Sequence, residues 1–221
     1  MAFHFQREIE KLKHKLLSVS TLAEESVYFA VKSVVERDSV LAQQVIDSDL
    51  EIDRLEVEVE EDCLKILALY QPVAVDLRFI VAVLKINDNL ERIGDLAVNV
   101  AERAVYLAPI KQAKIPINLT EMADKAKKML KNSLDALVNR DVSLARKVCA
   151  ADDEVDEINR IMYDQVKEGI TNGKEDVNVL LHLFSISRHV ERIADLATNI
   201  AEDAIYMVEG EIVRHRTEDY K

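Results

Sequence analysis

The sequence predicts an all-α protein built as two tandem antiparallel three-helix bundles, six long helices in all, arising from an internal duplication. Three observations carry this. Four Gly and three Pro in 221 residues fall far below the average of roughly 7 % and 5 %, so few turns can be built, and sandwiches, propellers and glycine-rich nucleotide folds are excluded. Apolar residues recur at helical spacing over long stretches. Finally, Lys85–Tyr106 matches Ser185–Tyr206 at an offset of 100, with 12 identities in 22 positions, and Arg37–Asp53 matches Arg140–Asp156 at an offset of 103, with 8 in 17. Both copies run in the same order, and the change in offset falls between them, where a loop absorbs it.

The elements follow in order. A first helix is expected from about Phe3 to Glu36, with Leu12, Leu16, Val19, Leu22, Ala23, Val27, Ala30, Val31 and Val34 on one face. Asp38 stands where an N-cap belongs and opens a second helix to about Leu69. Pro72 interrupts it and restricts Gln71. Asp76 is expected to cap a third helix ending at Leu107. Residues 108–119 hold two of the three prolines and no helical period, and read as a linker. In the second copy Thr120 caps a helix to about Asn139, Asp141 caps another to about Glu168, GITNGKE makes the turn, and Asp176 caps the last, which stops at Gly210 as C′. The expected division is therefore a first bundle over 1–108, a second over 117–210 and a tail over 211–221. Helices of about 30 residues are about 45 Å long, so two bundles in series make an elongated molecule.

Charge narrows the function. Forty-one acidic against 29 basic residues give a net charge of −12, which disfavours nucleic acid and anionic membranes. The longest uncharged stretch, Val177–Ser187, has 11 residues, too few to span a bilayer. The N-terminal residues lack the apolar core of a signal peptide. Cys63 and Cys149 form no C-x-x-C and read as buried cytosolic thiols. A soluble, cytoplasmic protein is expected.

The repeat also preserves a spacing of acids. The third helix of each half carries E-x-x-x-D-x-x-x-N-x-x-E, as Glu91, Asp95, Asn99 and Glu102, then Glu191, Asp195, Asn199 and Glu202. The second helix carries D-x-x-x-D, as Asp49 and Asp53, then Asp152 and Asp156. Residues four apart share a helix face, where like charges repel. Folding each hairpin about its turn brings Asp53 level with Glu91 and Asp49 level with Asp95, and likewise Asp156 with Glu191 and Asp152 with Asp195. Wheel geometry sets the acids away from the core stripe, lining two exposed grooves. An ordinary solvated helix face also carries exposed acids, but two level ladders in both halves argue for cation binding, and clustered carboxylates suit Mg, Ca, Mn or Fe.

Catalysis finds no support. Helical-bundle di-iron enzymes need Glu-x-x-His facing the core, and no Glu here is followed by such a His. There is no H-E-x-x-H, nucleophile elbow or P-loop. His182 and His189 belong to no motif, and His189 reads as a surface residue of the sixth helix.

Taken together, QPVAVDLRFI (Gln71–Ile80), NLERIGDLAVNVAE (Asn89–Glu102) and its second copy HVERIADLATNIAE (His189–Glu202) make the chain resemble, over nearly its whole length, the PhoU family. These are accessory and regulatory proteins of the phosphate-specific transport system. The resemblance implies two three-helix bundles and, as in some members, multinuclear iron or zinc clusters on E/D-x-x-x-D motifs. Position by position, that role passes to Asp49, Asp53, Glu91, Asp95, Asp152, Asp156, Glu191 and Asp195. It further implies a non-enzymatic regulator that restrains phosphate uptake and the phosphate-starvation response, docking to the transporter ATPase subunit and a sensor histidine kinase, with a homodimer as the expected assembly. One departure stands out: Asp176-Val177-Asn178 replaces Asp76-Leu77-Arg78 in the second copy. A metal-free helical adaptor whose grooves take basic partner residues, or a metal-buffering or chaperone protein, remain alternative readings.

Overall fold

The computed structural model describes residues 2–110, 117–173 and 176–213. Within these, six α-helices and no strand form: α1 Ala2–Glu36, α2 Ser39–Tyr70, α3 Ala74–Leu107, α4 Ile117–Asn139, α5 Val142–Asn172 and α6 Val177–Glu209. Three caps stand where the sequence puts them. Asp38 accepts from the backbone N–H groups of Val40 and Leu41 at 2.9 and 3.0 Å, Asp141 from Leu144 N–H at 2.9 Å, and Asp176 from Asn178 N–H at 2.8 Å. Each satisfies orphan donors of a first helical turn. Gly210 closes α6 at φ +77°, a left-handed conformation that costs glycine little.

Three boundaries differ from the sequence reading. Helix α3 starts earlier, at Ala74, with Val73 as an N-cap that makes no side-chain bond. Asp76 therefore lies inside the first turn, where its charge favours the helix N-terminus. Helix α4 starts at Ile117, directly after Pro116, so Thr120 is an interior residue; residues 111–116 of the expected linker lie outside the described residues. Helix α5 runs through Gly169 to Asn172 and caps on Gly173 at φ +63°. A Cβ at Gly169 would stand 2.9 Å from Leu180 Cδ1, so this glycine admits α6 rather than breaking α5. Of the expected tail, 214–221 lie outside the described residues, whereas Val213 is 2 % exposed and belongs to the core.

Helices α1 and α2 pack on α3, and α4 and α5 pack on α6; the pairing of α3 with α6 is the most extensive in the molecule. Helix α1 touches α4, whereas α2 and α5 do not meet. The buried apolar residues form a single cluster through both halves, so the bundles lie side by side rather than end to end. The α3–α6 seam is antiparallel and symmetric about position 144, matching Arg78 with Gly210, Lys85 with Asp203, Arg103 with Ser185 and Tyr106 with His182.

Leu90 of α3 is fully buried in the first half. Leu90→Ala should cost about 2–5 kcal/mol, or roughly 4–20 °C of unfolding temperature for a chain of this size, with helicity below the transition unchanged. Calorimetry with circular dichroism checks this, and a shift under a degree would remove Leu90 from the core.

Candidate metal and docking face

Helices α2 and α3 hold Asp49 and Asp53 opposite Glu91 and Asp95, and α5 and α6 hold Asp152 and Asp156 opposite Glu191 and Asp195. The halves repeat one pattern of exposure. Asp49, Glu91, Asp152 and Glu191 are half-buried, and Asp53, Asp95, Asp156 and Asp195 are exposed. Local sequence sets the approach in the first half: a Cβ at Gly94 would lie 2.9 Å from Asp49 Oδ1 and 3.0 Å from Ile52 Cδ1. The missing side chain lets α2 seat Asp49 against α3; Ala194 stands at the equivalent place in α6.

Electrostatics follow from this crowding. Burial, then the charges of Asp53 and Asp95, push the Asp49 carboxyl up to about 6. Burial, then Asp95, Asp53, Asp88 and Glu56, push Glu91 up to about 6. Asp152 rises to about 7, from burial first and then Asp195 and Asp156. Asp156, Glu191 and Asp195 are also raised, with burial the leading cause in each. Asp152 Oδ1 is buried without a hydrogen-bond partner among the described residues, as is Thr198 Oγ1; Thr198 tempers the Asp152 shift without meeting hydrogen-bond geometry. The second row carries more counter-charge, since Arg188 stands 3.6 Å from Glu191 where the first half has Asp88.

The two halves also meet in a groove. A polar groove of about 470 Å³ lies over the seam, lined by Arg92, Asp95, Leu96 and Asn99 of α3 and by their counterparts Arg192, Asp195, Leu196 and Asn199 of α6. Because α3 and α6 are neighbours, Asp95 and Asp195, one acid from each row, line the same groove. Asn99 and Glu102 of the repeated pattern have local partners on α3. Asn99 Nδ2 donates to the Asp95 carbonyl at 2.8 Å, and Glu102 pairs with Arg103 at 2.6 Å.

The donor chemistry fits hard and borderline cations: paired carboxylates at one level, raised proton affinity, and an orphaned oxygen on Asp152. The rows are open, and no group of three or more His, Cys, Asp or Glu among the described residues forms a ready-made cage.

The sequence reading missed the polar seam. Ser185 Oγ lies 3.2 Å from His189 Nε2 and accepts from Arg103 Nε at 3.3 Å. His189 is half-buried between the halves, not a surface residue, and burial followed by the Arg103 and Arg192 charges lowers it to about 4. Lys85 pairs with Asp203 at 3.3 Å and lies 5.2 Å over the Tyr206 ring. A trace of it was present in the repeat: Lys85/Ser185, Asn89/His189 and Arg103/Asp203 are three of the ten mismatches between these segments, and each changes polar or charged character.

Fold and face define an internally duplicated helical scaffold whose acidic surface is arranged in two equivalent rows. The PhoU domain family model matches residues 16–104 and 119–204, and the chain belongs to that family. A phosphate-specific transport system accessory protein PhoU homolog of Aquifex aeolicus is 39 % identical over 210 residues, 95 % of each chain. One of Clostridium acetobutylicum is 34 % identical, covering 95 % of this chain and 96 % of its own. The crystal structure of PhoU from Pseudomonas aeruginosa superposes with a TM-score of 0.91 at 35 % identity, covering 94 % of this chain and 100 % of that one. That of the phosphate transport system regulatory protein PhoU from Streptococcus pneumoniae gives 0.87 at 26 % identity, covering 95 % and 99 %.

The raised carboxyls fix a pH dependence. A folded-state value near 6–7 for Asp49, Glu91 and Asp152, against about 4 when unfolded, means the native protein binds more protons between pH 4 and 7. Their contribution to stability is therefore complete below pH 4 and lost as pH rises to 7. His189, lowered to about 4, acts oppositely between about pH 4 and 6.5, so a variant comparison is needed. In EDTA, Asp49→Asn with Asp152→Asn should unfold a few degrees above wild type at pH 7.5, with the difference shrinking toward pH 4. Parallel melting curves across that range would refute the assignment.

Proposed function

We propose that this chain is an accessory protein of phosphate-specific transport. It restrains phosphate uptake and the phosphate-starvation response by docking onto the transporter ATPase subunit and a sensor histidine kinase, as a cytoplasmic homodimer. The observation that carries the reading is the full-length match to proteins bearing that accessory name, on both chains' lengths. An acidic helical body with a polar groove across its two halves is suited to docking, and among the described residues no helix is long and apolar enough to cross a membrane.

The same reading assigns divalent cations to the rows, with iron or zinc as the expected ions. Asp49, Asp53, Glu91 and Asp95 would hold them in the first half, and Asp152, Asp156, Glu191 and Asp195 in the second. A bound cation would supply positive charge that offsets the repulsion within each row. The chain's own residues do the rest: the core fixes the carboxylates at one height, and Arg188 moderates the second row.

Deleting the gene in its host should raise phosphate-starvation expression under phosphate-replete conditions, and unchanged expression with an intact transporter would sink the regulatory reading. The cation assignment is tested apart from it. A cation at 100 times its dissociation constant stabilises by about 2.7 kcal/mol, roughly 5–11 °C here, and EDTA should reverse the gain. Asp95→Asn with Asp195→Asn should be more stable than wild type in EDTA and gain little from Fe, Zn or Mn. Equal shifts in both proteins would place the cation elsewhere; no shift in either would favour the metal-free adaptor.

A further inference from the structure

A second cavity lies away from the carboxylate face, at the end of the seam where α6 terminates. It measures about 130 Å³ and is lined by residues of α1, α3, α4 and α6, hence by both halves. Leu16, Phe79, Leu137 and Met207 line it, with Lys13 and Arg140 among them as its two charged residues. Leu16, Leu137 and Met207 are buried and Phe79 half-buried. The two cations stand out on a chain of net charge −12. Lys13 Nζ sits 5.7 Å from the Phe79 ring centroid, so its ammonium lies at the cavity wall while the side chain stays partly open to solvent.

The rim already attracts a carboxylate. Glu10 pairs with Lys13 at 2.6 Å, and its carboxyl is held below its ordinary value by Lys13 first and, more weakly, by His14 and Arg140. Glu10 is exposed and one turn along α1 from Lys13, which makes its carboxylate a weak and displaceable occupant. The apolar space below has no such occupant. The space opens to solvent on the side of Leu17, Val138 and Arg140, which are exposed, and its volume is close to that of an apolar cavity that takes a benzene ring, about 150 Å³.

We propose that this cavity binds a small organic carboxylate, its apolar body an aryl ring or branched chain of about six to eight heavy atoms, its carboxylate lying between Lys13 and Arg140. The body replaces empty space against Leu16, Phe79, Leu137 and Met207, and the head takes over the cations that Glu10 partly engages. Because the walls come from α1 and α3 of one half and α4 and α6 of the other, occupancy fastens the halves together at this end of the seam. The site is independent of the carboxylate rows and of any cation held there.

Titration calorimetry on the full chain tests this with three probes: phenylacetate, the uncharged phenylacetamide, and acetate, which lacks the body. Phenylacetate should bind once per chain, about two- to fivefold tighter than phenylacetamide, and acetate should not bind measurably. Glu10→Gln should tighten phenylacetate about two- to threefold and leave phenylacetamide unchanged, because it removes the competing carboxylate. Lys13→Met with Arg140→Met should weaken phenylacetate to the level of the amide. Met207→Trp should fill the cavity and abolish both, with its melting temperature reporting whether the fold survives; the rim variants decide the matter if it does not. Equal affinity for phenylacetate and phenylacetamide, no binding of either, or weakening by Glu10→Gln would each overturn the proposal.

Discussion

The structure depends on the antiparallel packing of α3 against α6. Each of these helices is the central member of its own three-helix group, and each is also the partner through which the groups share one core. Their buried residues, among them Ile86, Leu90 and Ile93 on α3 with Ile186, Val190 and Ile193 on α6, must face in more than one direction at once. Small residues answer this demand. Ala97, Ala101 and Ala104, repeated as Ala197, Ala201 and Ala204, are all buried and occupy little volume, so neighbours can approach from several sides. One consequence is that α2 and α5, which pack only within their own halves, are free to stand apart and leave the polar groove open between them.

That arrangement explains how a repulsive surface persists. Like charges on one helix face oppose helix formation, and partly burying them adds a desolvation cost, visible in the raised Asp49, Glu91 and Asp152. Neither cost is relieved by the full set of neighbouring basic residues. Arg54, for example, is committed to Glu51 and Glu58 on its own exposed face, and Lys15 to Asp62 and Glu58. The apolar cluster behind the rows supplies the stabilisation that holds them level. A face that costs stability and is kept in duplicate is the kind of local conflict expected at functional positions rather than in a scaffold.

Much of this was legible in the sequence. The scarcity of Gly and Pro, the apolar period and the repeat were enough for six helices, and the Asp38, Asp141 and Asp176 caps followed from residue type alone. The level pairing of the carboxylates came from hairpin symmetry. Hidden were features that depend on tertiary approach. Gly169 looked like a turn residue because a helix-interior glycine is disfavoured, yet Leu180 needs the space it leaves. Asp76 looked like a cap, but α3 begins three residues sooner with Val73 in extended geometry as its cap. A pattern along one chain also gives no angle between halves, so His189, half-buried between them, was read as a surface residue.

The divergence of the copies shows which parts of the repeat are geometric and which are chemical. In the first half Asn87 Nδ2 donates to the Glu56 carbonyl at 2.9 Å; in the second, Ser187 Oγ donates to Asn159 Oδ1 at 2.6 Å. These are the same two places in the repeat, at offsets of 100 and 103, and both bonds tie the central helix of a half to its outer neighbour beside the rows. The residues changed and the tie did not. A buried polar group must find a partner or pay its desolvation, so each bond penalises sliding of one helix past the other. Such ties restrict the register that keeps Asp53 facing Glu91 and Asp156 facing Glu191. Across the seam the opposite holds: Lys85 with Asp203 and Arg103 with Ser185 place both cations on α3. Two copies of α3 in this register would set Lys85 against Arg103, a like-charge contact, whereas α6 offers a carboxylate to one and a hydroxyl to the other. Divergence at the seam therefore favours α3 pairing with α6 over α3 pairing with itself, which converts a duplicated sequence into one molecule with two distinguishable halves.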